Sequence, residues 1–170
     1  MLLKGIIDED FTNYKLPSIL IIFPTCSWKC GENICQNRAI KDMPNITIDI
    51  NEIVQRYIAN PISKALVCSG LEPFDCYDDL LALIKAFRKA TSDTIVVYTG
   101  YTEEEVSNIE KISNAERIIN TEKTIDMPLH NIENIIIKFG RYTLGQKAYF
   151  DKNLGVNLSS DNQYARQINQ

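Results

Sequence analysis

Short apolar runs, almost uninterrupted by polar residues, recur along this 170-residue chain between stretches of helical period, and that alternation restricts the fold more than any other feature. The runs are residues 18–23 (Ser18-Ile19-Leu20-Ile21-Ile22-Phe23), 64–68, 94–98, 116–119 and 134–138. A strand with one wet face alternates apolar and polar side chains, whereas these runs, apart from 116–119 with its Glu116 and Arg117, are apolar at most positions, as strands buried on both faces of a parallel α/β sheet are. Between the first two runs, Ile50, Ile53, Val54, Tyr57 and Ile58 fall at the spacing of one helix face, with Asp49 and Glu52 placed as a variant capping box. Leu80, Leu83, Ile84 and Phe87 form a second stripe, and a third helix is expected to open at Thr102, with Glu103, Glu104 and Glu105 in its first turn. No linker, repeat or low-complexity block interrupts the pattern. One domain over residues 1–170 is expected, with the polar tail from Ser159 to Gln170 as its most loosely packed part.

Three cysteines, Cys26, Cys30 and Cys35, occupy the loop that follows the first apolar run. Thiolates are soft ligands that suit iron–sulfur clusters and zinc, and a cubane held by three of them keeps one iron free for another ligand. A structural zinc site is the competing reading, with Cys68 as a fourth ligand, although the Cys-x-x-Cys pairs common in such sites are absent. Unliganded core thiols are the third. A disulfide framework is disfavoured, because five cysteines is an odd number and a chain of this length buries a core without covalent staples.

Composition narrows the partners. The net charge is −4, and lysines and arginines are scattered, so no basic stripe points to nucleic acid. The N-terminal apolar residues meet Asp8-Glu9-Asp10 before a signal-peptide core could develop, and no apolar stretch approaches the roughly 20 residues of a membrane span. A cytoplasmic protein is expected, in a compartment where clustered cysteines stay reduced and signal metal or redox chemistry. The single histidine, His130, reads as a surface residue, and Cys68 and Cys76 as a core thiol and an incidental one.

Parallel α/β sheets place their sites at the C-terminal ends of the strands. After the first run comes the cysteine loop, after the second Ser69-Gly70-Leu71-Glu72-Pro73, and after the third Thr99-Gly100-Tyr101. Each is compatible with an ordinary turn. Together they bring thiols, a carboxylate and glycine backbone to one mouth.

These residues resemble the radical S-adenosylmethionine enzymes, and among them the small activating proteins of anaerobic ribonucleotide reductase. Cys26-Ser27-Trp28-Lys29-Cys30 is similar to the segment holding the first two cluster ligands, and Cys35-Gln36-Asn37 to the third with its asparagine. Ser69-Gly70-Leu71-Glu72-Pro73 resembles the family's Ser-Gly-Gly-Glu-Pro, Tyr98-Thr99-Gly100-Tyr101 its Tyr-Thr-Gly-Tyr, and Asn162-Gln163 its C-terminal Asn-Gln. Asn13-Tyr14-Lys15-Leu16-Pro17-Ser18, leading into the first run, and Lys138-Phe139-Gly140-Arg141-Tyr142 at the last are similar too. Two departures stand out. Four residues, Gly31 to Ile34, precede the third cysteine where the family has two, with Gly31 able to turn the longer loop, and Leu71 replaces a glycine.

The resemblance implies a partial, laterally open parallel βα barrel of radical-SAM type, here of about five strands. It implies that Cys26, Cys30 and Cys35 ligate a 4Fe-4S cluster whose fourth iron binds S-adenosylmethionine. Ser69, Gly70, Glu72, Thr99 and Gly100 would then surround that cofactor, with Glu72 at its amino group and Ile34 towards its adenine. It further implies reductive cleavage to a 5′-deoxyadenosyl radical, fed by a low-potential donor such as flavodoxin or ferredoxin. The radical would take a hydrogen atom from a glycine of the reductase's large subunit. A radical enzyme acting on a small molecule such as a deazapurine precursor, and a non-enzymatic zinc or iron–sulfur module, are the alternatives.

Overall fold

The computed structural model describes residues 1–120 and 128–168. Its strands are β1 (Leu2–Leu3), β2 (Gly5–Asp10), β3 (Ser18–Phe23), β4 (Ile46–Thr47), β5 (Ala65–Gly70), β6 (Thr94–Tyr98), β7 (Ile135–Phe139), β8 (Tyr149–Asp151), β9 (Val156–Leu158) and β10 (Tyr164–Gln167). Six of them form one sheet in the order β10-β7-β6-β5-β3-β2. The four inner strands are parallel, and β2 and β10 close the edges antiparallel. β1 pairs with β4, and β8 with β9.

The helices α1 (Ile50–Ala59), α2 (Tyr77–Ala90) and α3 (Glu103–Asn120) follow β3, β5 and β6 in the chain. Because the parallel strands lie in chain order, each crossover steps the same way, and right-handed crossovers then put every helix on one face. The register makes this visible. Ile21, Cys68, Val97 and Ile137 lie side by side across the four strands and pack with Ile53, Leu83 and Val106 of the three helices. The neighbouring row, Leu20, Val67, Val96 and Ile136, faces the other way and is covered by Tyr14, Leu154 and Leu158.

Local chemistry accounts for the helix starts. Asp49 caps α1 through the Asn51 amide at 2.8 Å. Thr102 and Glu105 form a reciprocal capping box at α3, each side chain accepting from the other's backbone amide at 3.2 and 2.9 Å. The stripe Leu80, Leu83, Ile84 and Phe87 of α2 is fully buried, whereas Ile58 at the end of α1 is 51% exposed and does not share the expected apolar face.

Two expectations are corrected. Residues 116–119, expected as a strand, belong to α3. No glycine or proline stands between Thr102 and Asn120, so no breaker interrupts the helix begun by the capping box over that span. The tail from Ser159, expected to be loose, supplies β10, in which Ala165 lies opposite Lys138, with Ser160, Gln163 and Ala165 buried. Among the described residues, no helix is long and apolar enough to cross a membrane.

Truncation after Leu158 therefore strips the β7 edge of its ladder. It is expected to lower unfolding stability by about 2 kcal/mol or more, read as a lower urea midpoint; an unchanged midpoint would mean that the tail is loose after all.

Candidate functional site

The C-terminal ends of β3, β5, β6 and β7 open into one cavity of about 410 Å³, towards the lower end of the roughly 300–1,000 Å³ common for small-ligand sites. Its sheet wall is the face away from the helices. Leu20 and Ile22 give it an apolar end, and the next positions in the same alternation, Ser69, Tyr98 and Lys138, give it a polar one. Cys26, Cys30 and Cys35 line the same cavity and are all half-buried.

The cysteine loop is tied to the strand ends at several points. The Glu72 amide donates to Thr25 O at 2.7 Å, and the Asn37 side chain donates to Gly70 O at 2.8 Å. At Gly70, φ is +98°, and a Cβ would lie 2.6 Å from Ile22 Cγ2, so only glycine lets β5 pass the end of β3 here. Gly31 also has a positive φ, +91°, and turns the longer loop between Cys30 and Cys35. Burial raises the Cys26 thiol to about 11, the carboxylates of Glu72 and Asp75 adding to the effect against a hydrogen bond from the Trp28 amide. The Cys30 thiol is also raised, by burial and then by the adjoining Cys35.

Glu72 joins the ends of β5 and β6. Its carboxylate, 5% exposed, accepts from the Thr99 hydroxyl at 2.7 Å and from the amides of Gly100 and Phe74 at 2.8 and 3.1 Å. Burial outweighs these three hydrogen bonds and lifts the carboxyl to about 7. Across the cavity, burial pulls Lys138 down to about 8, with Glu72 opposing the shift. The Lys138 ammonium donates to Gly140 O at 2.8 Å and to Thr99 O at 3.4 Å.

The C-terminal Asn162-Gln163 pair finishes the wall beside β7. At Gly140 a Cβ would meet Asn162 O at 2.8 Å, and the absent side chain lets that segment close in. Asn162 then donates to Arg141 O at 2.8 Å and Gln163 to Gly140 O at 3.3 Å. Arg141 pairs with Glu105 at 2.5 Å, and Glu105 settles at about 2, burial being outweighed by the Thr102 amide, Arg141 and Lys29.

The structure brings Cys26, Cys30, Cys35, Ser69, Gly70, Glu72, Thr99 and Gly100 together on the cavity wall. Ile34 is not among them; it sits on the 3₁₀ turn Glu32–Ile34 and is 40% exposed. Leu71 does line the cavity. Cys68 packs in the core on the helix side of the sheet, which removes it as a fourth ligand beside the loop thiols. Cys76 lies against Thr25, Sγ to Oγ1 at 3.0 Å. His130 is exposed, 3.2 Å from Glu110. Sequence reasoning left Lys138, Arg141, Tyr142 and Gln163 without a role although all line the cavity. The available signal was a lysine inside the otherwise apolar run 135–139.

Comparison with known protein families matches residues 18–137, more than two thirds of the chain, to the 4Fe-4S single cluster domain family. No curated protein and no solved structure matches the chain. The donor set suits a cluster. Three thiols face one cavity, and burial raises two of them, so that the positive charge iron brings would favour their thiolate form. Among the described residues, no group of three or more His, Cys, Asp or Glu side chains could hold a metal ion directly between them. A cubane distributes its thiolates over separate irons and needs no such convergence.

The Glu72 shift sets a pH dependence. Its folded-state value of about 7 exceeds the ordinary 4.5, so between those values the folded chain binds more protons than the unfolded one, and stability falls as pH rises. Urea titrations of the metal-free protein are expected to show lower stability at pH 7.5 than at pH 5, with a shallower slope in Glu72→Gln; equal slopes would contradict the assignment.

Proposed function

The chain belongs to the 4Fe-4S single cluster domain family, and from that premise we propose that it is a radical S-adenosylmethionine activase that forms a glycyl radical on an anaerobic ribonucleotide reductase. The observation that carries this reading is the convergence of three cysteines, the Ser69–Pro73 segment and Thr99-Gly100 on one cavity at the C-terminal rim of a parallel sheet. Cys26, Cys30 and Cys35 hold the cluster, leaving one iron without a protein ligand. A reduced cluster held there would supply the one electron that cleaves the C5′–S bond of S-adenosylmethionine, so that, with the Cα hydrogen of a partner glycine, the outcome would be methionine, 5′-deoxyadenosine and a glycine-centred radical.

The chain's own residues bind and orient. Backbone at Ser69 and Gly70 and the carboxylate of Glu72 receive the cofactor's amino group, with Thr99 and Gly100 beside them. The free lone pair on Glu72 suits that role, since Oε1 accepts from Phe74 and Thr99 while Oε2 accepts only from Gly100 and keeps acceptor capacity. Leu20 and Ile22 form an apolar wall that limits water at that end of the cavity. The sheet order, with its parallel strands in sequence and all helices on one face, supports a partial, laterally open βα barrel, through whose open side a glycine loop enters. The working compartment is the cytoplasm, with a flavodoxin or ferredoxin as electron source.

Separate alanine replacements at Cys26, Cys30 and Cys35 are expected to reduce 5′-deoxyadenosine release under dithionite to background. Wild-type protein mixed with the reductase subunit is expected to give a glycine-centred radical signal. Release undiminished in Cys30→Ala would refute the ligand assignment; release without a protein radical would refute the partner.

A further inference from the structure

Of the three residues between Cys26 and Cys30, two touch one side chain on the far side of the mouth. The Ser27 hydroxyl lies 2.9 Å from the Tyr101 hydroxyl. Tyr101 donates its phenolic proton to Asp75, so Ser27 is the donor in that contact. The second oxygen of Asp75 accepts the Ser27 amide at 2.5 Å, closing a ring of three hydrogen bonds. Two positions on, the Lys29 ammonium stands 4.2 Å above the Tyr101 ring. Lys29 is also tied to Glu105 at 3.4 Å, which pairs with Arg141 next to the same ring.

The residue between these contacts, Trp28, has φ +56°. A bulky side chain in that region costs about 1–2 kcal/mol, so the turn persists only because its surroundings impose it. Tyr101 is suited to impose it. It is 4% exposed, its amide donates to the Thr99 hydroxyl at 3.0 Å, and its carbonyl accepts from the Gly140 amide at 3.0 Å. The ring is thus anchored to both β6 and the end of β7, and through Thr99 to the Glu72 carboxylate.

We propose that Tyr101 is a positioning residue that holds the Cys26–Cys30 turn in its cluster-binding form before iron arrives, through its hydroxyl at Ser27 and its ring face at Lys29. The proposal rests on the reading of these cysteines as cluster ligands. A pre-formed turn spares the cluster the ordering entropy of the loop, so loss of Tyr101 weakens retention of iron without a change of ligand.

The test uses the full chain with Tyr101→Phe, which keeps the ring, and Tyr101→Leu, which removes both contacts. Without iron, under anaerobic conditions, iodoacetamide labelling is followed by mass spectrometry at each cysteine. Labelling of Cys26 and Cys30 relative to Cys35 is expected to rise several-fold in Tyr101→Leu and less in Tyr101→Phe. After reconstitution with iron and sulfide, loss of iron to a chelator is expected to quicken in the same order. If Tyr101→Leu does not fold, Tyr101→Phe decides alone. An unchanged labelling ratio would overturn the proposal whatever the cluster does. An altered ratio in protein whose wild type takes up no cluster would instead overturn the cluster reading and leave the hold of Tyr101 on the turn standing.

Discussion

The constraint on which the rest depends is the order of four parallel strands, β3, β5, β6 and β7, each beside its successor in the chain. That order sends three helices to one face and leaves the other free of them. It also gathers four strand ends on one rim. The residues of the candidate site hang from that rim: the cysteine loop after β3, Glu72 after β5, Thr99 to Tyr101 after β6, Lys138 in β7 and Arg141 after it. Alternation along each strand separates the two faces cleanly, with Cys68 towards the helices and Ser69 into the cavity.

Buried charge is the second organising element. Glu72 and Lys138 both sit within the protein near the thiols, and burial pushes each towards its neutral form. Neither is left without partners. Glu72 draws on an amide from each of two strand ends and on Thr99, and Lys138 on two backbone carbonyls. These bonds tie the rim together, whereas the cysteine loop has only short 3₁₀ turns of its own. The loop borrows its shape from its neighbours, through Thr25, Ser27, Lys29 and Asn37.

How much could be read in advance followed burial. The runs 18–23 and 94–98 coincide with β3 and β6, because strands covered on both faces announce themselves by composition. β2, with the sequence Gly-Ile-Ile-Asp-Glu-Asp, and the three-residue strands β8 and β9 carry no such signature; they lie at the edge or over the sheet, where polar residues are tolerated. Ile118-Ile119 looked like a strand because a short apolar run does not declare its period, and the absence of a breaker made it helix. Among the site residues, those placed by the strand-end rule came together, from Cys26 to Gly100. Ile34 did not, since its position depends on how a loop two residues longer than the family's pattern turns. Lys138 and Tyr101 stood in quoted motifs, and Lys138 broke an apolar run, but their contacts depend on long-range register that the local pattern does not encode.

The proposed chemistry requires a cluster with one iron left open by three protein thiolates. Electron paramagnetic resonance of the anaerobically reconstituted, reduced protein, recorded with and without S-adenosylmethionine, tests this most directly. A 4Fe-4S signal that changes shape when S-adenosylmethionine is added is the predicted result. A signal indifferent to it, or protein that retains zinc and forms no cluster, would contradict the account.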